Sequence, residues 1–177
     1  MSVIYTPRLK LKALTKAQLA LYLHSPQELE VELGIPISVA ILTEVVQRAI
    51  QLKIAKMDQA PVLEHGWYTY WLIIPTEAAY GAGLAGFKGL HDGKKEVEIG
   101  YGIDPAYQGQ GYMTETVQTL IGWAFQDSEC QAVVARNVLK TNQASIRVLE
   151  KVGMRPYLET RDTYSFRVEK RVFNASI

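Results

Sequence analysis

Apolar residues recur with two different periods along this chain, and the places where the period changes set out its elements. Near the start, Leu9, Leu11 and Ala13 alternate with Arg8, Lys10 and Lys12, which predicts an opening strand over 5–13. Thr15-Lys16-Ala17-Gln18 then reads as a capping box, with Leu14 and Leu19 as its hydrophobic staple, so a helix should run to about Leu23. Pro26 and Pro36 interrupt any long helix across 24–42. Thr43 can cap a clearer helix whose stripe includes Val46, Ala49, Ile50, Ile54 and Met57.

Residues 66–74 and 80–90 read as strands, followed by a hairpin turn at His91-Asp92-Gly93-Lys94 with Asp-Gly at its centre. The next strand, 96–104, carries Val97, Ile99, Tyr101 and Ile103 on one face and Glu98, Gly100 and Gly102 on the other. Asp104-Pro105 ends it. A helix follows with the stripe Val117, Leu120, Ile121, Ala124 and Phe125, its first turn expected at Gln110 to Thr114. Gln131 to Asn137 is a further strand. Thr141 is expected to cap the last helix, with Ile146, Val148, Leu149 and Val152 on its apolar side and Gly153 as a left-handed stop. Two closing strands are expected over 156–160 and 163–172. This order predicts an α/β fold: one domain with a mixed, mostly antiparallel sheet of about six to seven strands flanked by helices.

Composition narrows the class. Of 177 residues, 48% are hydrophobic and 21% charged, an ordinary globular balance with length enough for a sizeable core. Lys+Arg 19 against Asp+Glu 18 gives no electrostatic case for nucleic acid or anionic membrane. The longest apolar runs fall far short of the ~20 residues a membrane span needs, and no signal-like stretch follows Met1. The one cysteine, Cys130, permits no internal disulfide and suits a reducing cytoplasm. His24, His65 and His91 are dispersed without metal-ligand spacing, so no metal is expected.

The strongest chemical signal is the junction from Gly102 to Met113, where strand passes through a turn into a helix that opens on glycines. Orphan N–H groups at such a helix start lie at the positive end of its dipole, and Gly109 and Gly111 let a phosphate approach the backbone closely. A Walker loop would need Lys-Ser/Thr where Tyr112-Met113 stands. A dinucleotide fingerprint would need three glycines where this segment has two.

The segment instead resembles the acetyl-CoA-binding motif of the GNAT superfamily of N-acyltransferases, Arg/Gln-x-x-Gly-x-Gly/Ala: Gln108 and Gly111 match, and Met113 departs at the last position. Before it, 97–105 resembles the family's fourth strand. After it, 142–154 resembles the Asn-x-x-Ser/Ala … Glu-Lys-x-Gly-Phe helix. The likeness covers roughly 80–157 and is greatest to the branch containing ribosomal-protein N-terminal (alanine/serine) acetyltransferases. It implies a GNAT-like domain over 1–177, a splayed fourth and fifth strand pair, acetyl-CoA as cosubstrate, and direct acetyl transfer to a primary amine. The acceptor is then a protein N-terminus or a small-molecule amine, and the chain a cytoplasmic monomer or homodimer.

In that frame the backbone of Tyr101, Gly102 and Ile103 would bind pantetheine as an added strand does, and Gln108, Gly109, Gln110, Gly111, Tyr112, Met113 and Thr114 would hold pyrophosphate. Without a ligand, the glycines at 100 and 102 would mark a strand bulge. Asn142 would bond the cofactor or simply start its helix. Glu98 is the candidate base, set against a reading as a solvated strand carboxylate, and Glu115 a weaker one. Many family members carry an acidic-proton donor, a tyrosine, where this chain has Leu149. Ser145 is then the candidate acid, set against a packing role. Trp67, Tyr68, Tyr70 and Trp71 read as aromatics on both faces of one strand, mostly core. An alternative to catalysis is an inactive acyl-CoA-binding or sensing module, which the Leu149 and Met113 departures motivate. A nucleotide-phosphate enzyme lacks the lysine and metal-holding residues such chemistry needs.

Overall fold

The computed structural model describes residues 2–91 and 93–175. Eight strands form one sheet: β1 (Val3–Tyr5), β2 (Leu9–Ala13), β3 (Trp71–Pro75), β4 (Gly83–Phe87), β5 (Glu96–Ile103), β6 (Ala132–Leu139), β7 (Arg155–Glu159) and β8 (Thr163–Glu169). Their order across the sheet is β1-β2-β3-β4-β5-β6-β8-β7. Every neighbouring pair is antiparallel except β5 and β6.

Helix α5 (Tyr112–Ala124) covers one face of the sheet, where Val117, Leu120 and Ile121 pack with Leu9, Leu11, Ile73, Phe87 and Ile99. Helices α1 (Lys16–His24), α2 (Pro26–Leu33) and α3 (Glu44–Met57) cover the first half of the other face, against Leu72, Ile74 and Leu84. The capping box at Thr15 and Gln18 is present, and Leu14 and Leu19 beside it are buried. On the second half of that face lies a ladder of ion pairs, in which Arg136 reaches Glu96 and Glu98 at 2.8 and 3.0 Å. Lys88 and Arg167 extend it at either side, pairing with Glu98 and Glu96.

Several expectations need correction. The opening strand is two strands, because Thr6 turns back and its N–H reaches the Leu9 carbonyl at 2.9 Å; this gives eight strands rather than six or seven. Pro26 interrupts the helical run as expected, α1 ending at His24, and it also begins α2, since the first helical position loses nothing with the proline N–H. Trp67 and Tyr68 lie in a short helix, α4 (His65–Tyr68), not in a strand. Trp67 and Trp71 are both core, the first tilted and the second edge-on against Trp123, with 4.5 and 5.5 Å between ring centroids. The helix expected to be last, α6 (Gln143–Lys151), is capped by Asn142 and not Thr141: the Asn142 side chain accepts from the Ser145 N–H at 3.1 Å. Strand β8 gives way to helix α7 (Lys170–Asn174) where 163–172 had read as strand throughout. The expected Asp-Gly turn centres on Asp92, outside the described residues.

The feature that positions the site is the divergence of β5 from β6. Their last paired residues are Glu98 and Val134; beyond them 99–103 pair only with β4. Strand β6 turns away through a bulge between Ala135 and Val138, where Asn137 has φ 57°. A left-handed residue inside a strand breaks the ladder, and asparagine tolerates that geometry better than most.

Candidate functional site

A cavity of about 550 Å³ opens in the gap. Tyr101, Gly102 and Ile103 form its β5 wall; Asn142, Ala144, Ser145 and Val148 of the α6 region face them. Its far end is the glycine loop, with Gln108, Gly109, Gly111, Tyr112, Met113 and Thr114. Gly109 and Gly111 have φ of 75° and 81°, the left-handed region that glycine occupies without penalty. The first intrahelical bond of α5 runs from the Glu115 N–H to the Gly111 carbonyl, so the N–H groups of Tyr112 to Thr114 have no partner in their own helix. No side chain caps this end.

The corner leading into the loop is fixed. Asp104 accepts from the Ala106 N–H at 2.9 Å, the Ser38 hydroxyl at 2.6 Å and the Tyr80 hydroxyl at 3.3 Å. The Ser38 and Ala106 bonds hold its carboxyl below the usual carboxylate range. Tyr80 also stacks on Tyr107, which lines the cavity.

Arg147 and Lys151 project into the same cavity from α6, and no carboxylate is among its described lining residues. Neither cation figured among the expected binding residues. Their spacing of one helical turn places them on one face, which the sequence could have shown once that face was known to be lined by ligand. Tyr107, Ala144 and Val148 are further unexpected lining residues. The lining combines apolar and hydroxyl-bearing side chains with two cations and the unpartnered N–H groups of the loop, which fits an extended ligand with an anionic end. A Cβ at Gly100 or Gly102 would meet nothing within 4 Å, so the strand there has open space beside it.

The expected site residues separate into two sets. Tyr101, Gly102, Ile103, Gln108, Gly109, Gly111, Tyr112, Met113, Thr114, Asn142 and Ser145 surround the cavity. Gln110 stands at the loop but not on that lining, its side chain donating to the Ala106 carbonyl at 3.2 Å. Glu98 is also off the lining. Both its oxygens are engaged, by Lys88 at 2.5 Å and Arg136 at 3.0 Å. Glu115 is held by Thr6 and Arg8; burial works to raise its pKa, and these hydrogen bonds outweigh burial and leave it low.

Ser145 Oγ and the Tyr101 hydroxyl lie 2.9 Å apart across the gap. Burial pushes the Tyr101 phenol up to about 12, against an opposing hydrogen bond from Ser145, so it remains a proton donor at neutral pH. Cys130 is buried away from the cavity, with burial raising its thiol to about 11.

The sequence profile of the acetyltransferase (GNAT) domain matches residues 8–155. The chain belongs to the GNAT acetyltransferase family. Among curated relatives, the probable N-acetyltransferase YjcK of Bacillus subtilis is 42% identical over 55 residues, 31% of this chain and 30% of that protein. The uncharacterized N-acetyltransferase YjdG of the same organism is 31% identical over 83 residues, 47% of this chain and 49% of that one. The chain thus spans between about a third and a half of the length of the curated relatives it matches. The fold matches whole GNAT structures. RimL, a ribosomal L7/L12 alpha-N-protein acetyltransferase solved with coenzyme A, superposes with TM-score 0.67 at 19% identity, covering 95% of this chain and 98% of that one. The ribosomal-protein-S5-alanine acetyltransferase of Vibrio fischeri gives 0.64 at 17% identity, covering 96% and 97%.

Among the described residues, no helix is long and apolar enough to cross a membrane, and no group of three or more His, Cys, Asp or Glu is placed to hold a metal ion.

Proposed function

We propose that the chain is one acetyltransferase domain that moves an acetyl group from acetyl-CoA directly to a primary amine, in the cytoplasm. The observation that carries this is the continuity of the cavity from the β5–β6 gap to the unpartnered helix N-terminus. Pantetheine would lie along Tyr101 to Ile103, whose outer strand edge β6 leaves free, and the pyrophosphate would meet the loop N–H groups and the cations of α6.

Direct transfer follows from the placement of groups. Cys130 is the one thiol, buried and off the cavity, so no acyl-enzyme is drawn through it. The tetrahedral oxyanion would be stabilised by a β5 N–H near Ile103. The departing thiolate needs little help, a thiol pKa of about 8.5 making it a fair leaving group, and the Ser145–Tyr101 hydroxyl pair can donate to it.

The acceptor amine must be neutral to attack. With Glu98 held in two ion pairs, the amine itself has to be substantially deprotonated before it binds. An α-amine, pKa about 7.7–8.0, is roughly a quarter neutral near pH 7.4, whereas a lysine-type amine at about 10.4 is roughly a thousandth neutral. This favours α-amino acceptors, a protein N-terminus or an amino-acid-like small molecule, over polyamines.

The tying-up of Glu98 also motivates a second reading, an acyl-CoA-binding module without turnover. Thiol release from acetyl-CoA with pooled α-amine acceptors decides between them. The expected result is turnover in the wild type, with Glu98→Gln keeping kcat/KM within about threefold, far less than the ~10²-fold or more that loss of a general base costs. CoA binding without turnover on any acceptor would select the second reading, and a collapse of activity in Glu98→Gln would restore Glu98 as base.

A further inference from the structure

Arg8 lies in the turn before β2, remote in sequence from the glycine loop, on what the strand pattern alone makes a solvent face. In the folded chain it meets the loop from outside the cavity. Its Nε donates to Glu115 Oε2 at 2.7 Å and its Nη1 to the Gln110 carbonyl at 2.9 Å. The guanidinium sits 5.0 Å from the Tyr112 ring centroid, and a Cβ on Gly111 would meet its Nη2 at 3.2 Å. Glu115 is itself fixed by the Arg8 N–H at 3.1 Å and by the Thr6 hydroxyl at 2.6 Å. A side chain half exposed to solvent is therefore tied at both ends of a planar fork.

The peptide unit it holds is the one that matters for an anion. In a trans peptide the C=O and the following N–H point in opposite directions. Anchoring the Gln110 carbonyl on Arg8 therefore turns the Gly111 N–H away from Arg8, toward the cavity that Gly111 lines. Gly111 and Gly109 have access to either sign of φ, so the loop's own chemistry leaves this peptide free to rotate. The opposite orientation would aim a carbonyl oxygen at the phosphate. We propose that Arg8 is a positioning residue of the donor site, holding the Gln110–Gly111 peptide with its N–H toward the pyrophosphate. Glu115 and Thr6 set Arg8 in place for that task.

This rests on the acetyl-CoA reading, and calorimetric titration tests the two separately. CoA and pantetheine, which lacks the pyrophosphate, are titrated into wild type, Arg8→Ala and Arg8→Lys, pantetheine by displacement of CoA where it binds weakly. Arg8→Ala should weaken CoA by about tenfold, the loss of one charge-assisted hydrogen bond, and leave pantetheine within about twofold. Arg8→Lys keeps the charge but cannot hold Gln110 and Glu115 with one fork, so it should recover little of that loss. Equal losses for both ligands, unchanged CoA affinity in Arg8→Ala, or full recovery in Arg8→Lys would each overturn the proposal. If Arg8→Ala does not fold, Arg8→Lys carries the test, wild-type affinity being the contrary result. A wild type that binds no CoA would remove the donor reading itself, a different outcome from tight wild-type binding that ignores Arg8.

Discussion

Lys53 shows how a single residue can be misplaced by its type. It sits three residues after Ile50 and four before Met57, on the apolar side of α3, where a lysine is normally read as a boundary of the stripe. It is instead 6% exposed, with Nζ donating to the Thr69 carbonyl at 3.1 Å and to that of Phe87, and 4.4 Å from the Tyr70 ring centroid. Burial, then the Lys56 and Lys88 charges, lower its pKa to about 7. A neutral amine keeps two N–H donors, so both carbonyl bonds survive deprotonation. The unfolded chain, with an ordinary lysine pKa near 10.4, binds more protons than the native one between about pH 7 and 10, so this residue makes stability rise with pH across that window. Denaturant unfolding at pH 7 and pH 9 should show wild type gaining on Lys53→Met; a difference independent of pH would show that Lys53 titrates normally. Some residues of the candidate site were open to sequence reasoning because their roles are backbone roles: Gly109 and Gly111 take left-handed φ, and Asn142 stands at the start of α6. The hydrogen bond of the Tyr101 hydroxyl and the ion pair of Glu98 were not, since their partners, Ser145 and Arg136, come from distant elements.

At the scale of elements, α5 was legible down to its stripe, because Val117, Leu120, Ile121 and Ala124 answer to one period and all are fully buried. The splay of β5 from β6 was legible only through the family resemblance: a parallel partner far along the chain leaves no local signal, and no periodicity marks the kink of β6 at Asn137. That kink is a testable part of the design. Asn137→Gly should preserve the fold and CoA binding, whereas Asn137→Val should cost about 1–2 kcal/mol in unfolding free energy, the penalty of a left-handed β-branched residue. It should also weaken CoA binding by narrowing the gap. An Asn137→Val chain with wild-type stability would show that β6 bends for another reason. The short β1 and α2 escaped detection for simpler causes: a three-residue strand has no period to read, and Pro26 marks a helix start as readily as a break.

The whole molecule divides its sheet between two tasks. Helices on both faces of the first half make a packed base, and the second half, with apolar packing on one face and ion pairs on the other, opens into the β5–β6 gap. Much of the proposed donor side falls in one stretch, 97–114, which is why it could be read from the sequence, while Arg147 and Lys151 come from α6. No motif in the sequence marks an acceptor side, so the proposed acceptor rests on the chemistry of the amine. The most direct test offers acetyl-CoA with a peptide bearing one free N-terminus and one internal lysine, and locates the acetyl group by mass spectrometry. Acetylation of the N-terminal amine, accompanied by stoichiometric free CoA, is the expected result. Acetylation of the lysine alone, or no acetylated peptide or small α-amine under conditions where CoA binds, would contradict it.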